Sequence, residues 1–407
     1  FFNQKTAYEI GVRLVGSEMC IRDSLGSDWQ ANENINNTMI SGDHNGSCLI
    51  IRDGNIEPTV LGLTFQDGIG TSLQVQMDGC DLTTQKLSGG AILIYKAYPT
   101  INYNRFINNG FEEEAGGGGT SESVADGGAI SHYATDDVEF DEDRNHSSGE
   151  LTYVDFSDSD AIRDYILQSA IEDPDESNTT RTIPDEINMQ NNYFANNSAG
   201  DGENYYSHGF EGSIDVSHST FENIDCESNT VNKFILRSLE DEADYIQNDI
   251  SGQCIEESIY YVSAQSGDDN NLGTETDPFK TIGQALTLVR DNGTTVTTIN
   301  LYPGVHSPST NRERFPIILP DNVHLIGDES ETTILDAEAD PNNEATVIII
   351  KEVQNVTVAN MTLTGGSSEG NGCTGGGGLL ITADDMFNAD SDAVSYTHLT
   401  LPTILLV

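Results

Sequence analysis

The chain has 407 residues, of which 67 are Asp or Glu and 17 are Lys or Arg, for a net charge of −50. Phosphate binding needs clustered Lys and Arg, so this balance excludes nucleic acid as a partner. Between residues 25 and 392 the apolar run nearest to a membrane span is "ATVIII" at Ala345–Ile350, far short of the roughly 18 residues required. Such acidity suits a salty or calcium-containing exterior, where self-repulsion is screened, and it equally suits a surface that is merely well solvated. The length favours two domains or one elongated repeat.

Taken in chain order, the first element is foreign. "QKTAYEI" (Gln4–Ile10) and "LVGSEMCIRDS" (Leu14–Ser24) resemble translated sequencing-library adaptor in one frame, with an index at Gly11–Arg13. "AVSYTHLTLPT" (Ala393–Thr403) resembles the reverse complement of the transposon end that yields "MCIRDS". Residues 1–24 and 393–407 are therefore expected to be non-native and are set aside. They contain Lys5, Arg13 and Arg22 against Glu9, Glu18 and Asp23, so the acidity belongs to the rest of the chain. What remains is expected to be an internal piece of a longer product, without its leader or anchor.

Short runs with alternating apolar residues follow, each ending in Asn, Gly or Asp: Thr59–Gly68, Ala91–Gly110, Ile187–Gly202, Ser213–Cys226 and Asn355–Gly366. Period two sends alternate side chains to opposite faces of a strand. The inward set includes Phe65, Phe106, Phe194, Phe221 and Leu363, and the Asn and Gly behind them supply turns with positive φ. Phe65 and Phe106 are 41 residues apart and Phe194 and Phe221 are 27 apart, which fits two coils and one coil of a solenoid.

Residues 112–184 read as an intrusion. "EEEAGGGGTSESVADGG" is an acidic, flexible loop, and Ser157–Glu176 has the capping and spacing of a short helix. Asp155, Asp158 and Asp160, or Asp141 and Asp143, are candidate calcium ligands through oxygen. They match neither the EF-hand nor the glycine-rich nonapeptide pattern, and a solvated acidic loop accounts for them equally. Calcium is the only cofactor in view.

The strand-then-turn unit resembles the right-handed parallel β-helix of the pectate-lyase-like superfamily. The lack of two-residue Asn-Gly turns between alternating runs agrees with parallel stacking. "YYVSAQSGDDNNLGTETDPFKTIGQAL" (260–286), with its continuation to residue 327, resembles an uncharacterised domain family that starts such helices. Phe279, Ile282, Leu286 and Val289 share one helical face, which would cap the open end of a solenoid. A metal site at Asp268, Asp269 and Asp277 is the competing use of that segment.

A start cap at residue 260 implies an earlier solenoid. Asn37–Gly68 aligns in order with Thr332–Gly366, Thr38 matching Thr333 and Thr64 matching Thr362, and Gly89–Gly90 recur as Gly377–Gly378. The expected fold is therefore all-β: two right-handed parallel β-helices in tandem, residues 25–258 and 259–392, with a small capping helix and the acidic insertion.

The resemblance implies polysaccharide chemistry, yet the superfamily's Arg-x-Pro-x-x-Arg, Gly-His-Gly and Arg-Ile-Lys motifs are absent, and no catalytic residue is named. Arg105 is the best-placed isolated base, with a ladder role as the alternative, and the histidines show no metal-ligand spacing. Cys226 and Cys254 could pair in an exported protein or remain buried thiols. The reading is an exported or cell-surface scaffold, a monomer that binds polysaccharide or cell-surface glycan or mediates adhesion. A polysaccharide lyase or hydrolase is the alternative, and a purely structural segment of a long surface protein is the third reading.

Overall fold

The computed structural model describes residues 38–44, 46–76, 83–110, 124–135, 138–140, 183–238, 243–339, 345–351, 353–367 and 377–382. The expected helix at 157–176, the acids Asp141, Asp143, Asp155, Asp158 and Asp160, and both adaptor-like ends lie outside them. Regular structure is almost entirely short strand in stacked parallel sheets, compatible with a parallel β-helix.

Residues 38–255 form a stack with three faces. The first sheet aligns Met39–Ser41, Thr64–Gln66, Arg105–Ile107, Tyr193–Ala195, Thr220–Ile224 and Ser251–Cys254 in parallel. The second aligns Leu49–Ile56, Ile92–Ala97, Ile130–Tyr133, Tyr205–His208 and Leu236–Ser238. Thr59–Leu61 and Thr100–Asn102, then Glu186–Asn188, Ser213–Asp215 and Asp244–Ile246, make the third. Each pass visits the faces in the same order, so equivalent side chains stack from coil to coil.

Local chemistry sets this geometry. The corner entering the first sheet needs a left-handed residue two places before each strand, and Gly62, Tyr103, Asn191, His218 and Asp249 occupy it with φ of 69°, 58°, 59°, 60° and 51°. The next residue turns inward. Asn104 Oδ1 accepts from Leu63 N (3.1 Å), Asn192 Oδ1 from Asn104 N (2.9 Å), and Ser219 Oγ from Asn192 N (3.1 Å). Buried corner amides are thus satisfied by a ladder of side chains. Inside the first sheet, Phe65, Phe106, Phe194 and Phe221 stack with centroids 5.3, 5.1 and 5.2 Å apart, as their alternation predicts.

Residues 259–382 repeat the plan. One sheet pairs Ile259–Val262, Thr297–Leu301, Val323–Gly327 and Thr357–Ala359; Gly304–His306, Thr333–Asp336 and Thr362–Thr364 form the next; Ile317–Ile318, Ile348–Lys351 and Leu379–Thr382 complete the third. The strands 39–41, 49–56, 59–61 and 64–66 recur in order as 333–336, 348–351, 357–359 and 362–364, which is the internal repeat read from Thr38/Thr333 and Thr64/Thr362. Helix α1 (Ile282–Leu286) begins where the Thr281 side chain accepts from Gln284 N. Its buried Ile282, Ala285 and Leu286 join Phe279 and Val289 in the core of this stack, but the four residues expected on one helical face do not share one, since the helix ends at Leu286 and Phe279 is in a β-bridge to Val262.

Three further features depart from the sequence reading. Phe65 and Phe106, 41 residues apart and expected two coils apart, pair directly in adjacent strands, because the antiparallel excursion at 71–88 lengthens that single coil. Ile130–Tyr133 falls within the stretch expected to intrude, yet it is the central strand of the second sheet. The run is hard to recognise because His132 takes an inward place beside Tyr98 and Phe210. Burial pushes the pKa of that ring down to about 3, which leaves a neutral core residue. Thr71–Gln76 and Thr83–Ser88 form an antiparallel pair, flanked by Val124–Asp126 and Val138–Phe140. Leu73 packs with Leu93, Tyr133 and Tyr206 on the outer side of the second sheet. Cys226 and Cys254 form a disulfide, Cα–Cα 5.3 Å, while Cys48 is a buried thiol.

Candidate functional site

A buried set of ionisable groups lies where the antiparallel pair meets the second sheet. Asp126 and Asp201 occupy the same place in successive coils, each followed by a left-handed glycine, Gly127 (φ 64°) and Gly202 (φ 60°), before the next sheet strand. Gly127 N donates to Asp201 O at 2.9 Å, which fixes the register. The side chains of Asp126 and Asp201 belong to residues only 4% and 6% exposed.

Each carboxylate has a basic partner. Lys86 Nζ lies 3.1 Å from Asp126 Oδ2, and the Tyr133 hydroxyl donates to the same oxygen at 3.0 Å. Ser88 Oγ is 2.9 Å from that hydroxyl, and Ser131 Oγ donates to the Asp126 carbonyl at 2.7 Å. Arg237 Nε is 3.3 Å from Asp201 Oδ2. Burial raises the Asp201 carboxyl to about 6, partly offset by Arg237 and reinforced by the neighbouring Asp126 charge. Burial also works against the Lys86 ammonium, but Asp126 and Asp201 outweigh it and hold its pKa above the ordinary value.

Stacked carboxylates one coil apart are the raw material of acid–base catalysis. Here they are spent on protein partners. Lys86 on the antiparallel pair and Arg237 on the second sheet flank the two neighbouring acids, an arrangement suited to holding position.

The residues singled out from sequence are dispersed. Arg105 lies on the outer side of the first sheet with its guanidinium 4.6 Å from the Tyr193 ring centroid, a cation–π contact between adjacent coils. Asp268, Asp269 and Asp277 do not converge. Asp268 Oδ1 accepts from Asn270 N, Asp269 from Lys280 N, Thr281 N and Thr281 Oγ1, and Asp277 Oδ2 from Leu272 N. They shape the turns that lead into α1. Glu313, 2% exposed, accepts from Ile282 N (2.8 Å) and Gly283 N (3.2 Å) at its start. Among the described residues no three His, Cys, Asp or Glu are grouped to hold a metal ion.

A second surface carries no acid at the outward positions of its sheet strands, with Glu275 beside it at Tyr302. In the sheet that begins at Ile259, buried residues alternate with outward ones, and the outward positions carry Ile259, Tyr261, Thr298, Asn300, His324 and Ile326. Tyr261 stacks on Tyr302 with centroids 5.9 Å apart and planes at 26°. The Tyr302 hydroxyl donates to the Glu275 carbonyl at 2.8 Å, which fixes its ring. Tyr205, Tyr206 and Tyr260 are buried packing residues instead. Tyr302 comes from the next coil, so the pair is not visible as a sequence motif.

A family model described as a protein of unknown function (DUF1565) matches residues 265–375, and that family is associated with β-helix proteins. No curated protein and no solved structure matches the chain. Among the described residues no helix is long and apolar enough to cross a membrane.

Proposed function

We propose that this chain is a non-catalytic scaffold of two right-handed parallel β-helices in tandem, residues 25–258 and 259–392. It is a monomer that works at the cell exterior and holds a neutral polysaccharide, such as a cell-surface glycan. The observation that carries this reading is the stacked Tyr261–Tyr302 pair on a sheet face whose outward residues bear no acid, in a chain of net charge −50. Aromatic faces stack on the apolar faces of sugar rings, while Thr298, Asn300 and His324 offer hydrogen bonds at coil spacing. The overall negative field disfavours an acidic polymer. The Cys226–Cys254 disulfide supports an oxidising location.

The Asp126–Asp201 pair favours one further reading, a polysaccharide lyase or hydrolase. Lys86, Tyr133 and Arg237 already engage those carboxylates, which weighs towards the scaffold. Depletion of the protein by insoluble neutral glucans, mannans and chitin tests the proposal. Binding should be retained at high salt, and Tyr261→Ala or Tyr302→Ala should weaken it by about three- to tenfold, in line with ring-stacking energies of about 0.5–1.5 kcal/mol. Equal binding by both variants, or no binding to any neutral polymer, would refute it.

A further inference from the structure

We propose that Phe279–Arg290 is a coupling module, which recognises the last coil of a preceding β-solenoid and joins two solenoids end to end. This rests on the tandem reading above and extends it to the segment matched by the family of unknown function.

A helix leaves its last carbonyls without internal partners. Within the capping segment Val289 N donates to Leu286 O at 3.2 Å, and the preceding stack supplies further donors to the carbonyls around the end of α1. The Asn232 side chain from that stack donates to Leu286 O (3.1 Å), Thr287 O (3.4 Å) and Val289 O (2.7 Å). Its own oxygen accepts from Phe234 N (2.9 Å) and Ile235 N (3.2 Å), so one buried carboxamide serves both stacks. Phe234, 7% exposed, packs in the core of the second stack with Tyr260, Phe279 and Leu286.

Charge fixes the angle of this contact. Arg290 donates from Nε to Asp225 Oδ2 at 3.2 Å and from Nη2 to Asp225 Oδ1 at 3.1 Å, a paired arrangement that a lysine could not reproduce. Burial opposes ionisation of Asp225, but the Arg290 bonds hold its carboxyl below the ordinary value. Glu227 adds a further contact to Arg290 at the rim (2.8 Å). Farther out, Arg314 Nη2 reaches back to Gly110 O at 2.6 Å. The surface recognised is therefore the turn Asp225–Phe234: a carboxylate for Arg290, a carboxamide for the helix end and an aromatic ring for the core.

The test nicks the full chain at a protease site inserted between Glu256 and Glu257, both exposed. The disulfide cannot hide separation, because Cys226 and Cys254 both precede the nick. The nicked halves should elute together on gel filtration. Asn232→Ala with Arg290→Gln should raise the dissociation constant of the nicked pair by more than about tenfold, while the far-ultraviolet circular dichroism of each half is unchanged. Halves that separate freely yet remain folded would overturn the coupling and leave the tandem reading standing. Halves that unfold once nicked would overturn both.

Discussion

The ring of Phe106 lies parallel to that of Phe194, with centroids 5.1 Å apart and planes at 14°, although 88 residues separate them in the chain. The long excursion between the two strands returns in register, because the ladder offers the incoming ring only one well-packed place. Phe106 has a ring on both sides and no exposure. Phe106→Ala should therefore cost about 3–5 kcal/mol of unfolding free energy, measured by urea denaturation. A loss below about 1 kcal/mol would mean that the ladder does not carry the stability of the first stack.

Glu313 gives a pH signature. Burial raises its carboxyl from the ordinary 4.5 to about 7, opposed by the Ile282 and Gly283 amides and reinforced by Asp269. Its folded pKa lies above the unfolded one, so the folded state binds the extra proton and stability falls as pH rises through the window from 4.5 to 7. Glu313→Gln removes this titration. From pH 4 to pH 8 the variant should gain on the parent by a few kcal/mol, on the order of 1.4 kcal/mol per pKa unit. A parent–variant difference that stays constant across that window would contradict the assignment.

Asp126 is bound from two sides, by Lys86 and by Tyr133. Asp126→Ala leaves a buried hydroxyl and a half-buried ammonium without this acceptor, at a cost of about 2–4 kcal/mol. Adding Lys86→Met should return part of that loss, since the strand-side partner no longer seeks a charge. A double-mutant cycle measures the coupling, and strict additivity would show that the pair is not a structural tie.

The disulfide closes a segment with a sequence separation of 28 around the last coil of the first stack. Replacing both cysteines by Ser should lower stability by about 3–4 kcal/mol on loop-entropy grounds. It should also loosen the turn at Asp225, next to Cys226. Thermal unfolding of the double variant under oxidising conditions checks the first effect, and hydrogen exchange at residues 225–230 checks the second.

The parts legible in sequence were those written by local chemistry. Alternation and Asn or Gly turns marked Phe65, Phe106, Phe194 and Phe221, and helical spacing marked Ile282 and Leu286. The corner positions Tyr103 and His218 gave no signal, because neither residue type announces a left-handed turn. The Asp126–Asp201 pair was hidden for another reason: the two residues meet only through the stacking of coils, and the shared clue was an Asp-Gly step before each strand. Ile130–Tyr133 was missed because a polar ring in an inward place breaks the apolar pattern. The Asn232 contact with α1 joins the two stacks, and no local pattern in the sequence encodes it.

The most direct test of the scaffold reading is to incubate the full chain with a neutral polysaccharide that depletes it from solution, and to follow new reducing ends and unsaturated products over days. The account predicts bound protein, an intact polymer and no product. Products that accumulate with the parent and vanish with Asp201→Asn would contradict it and make the Asp126–Asp201 pair a catalytic centre.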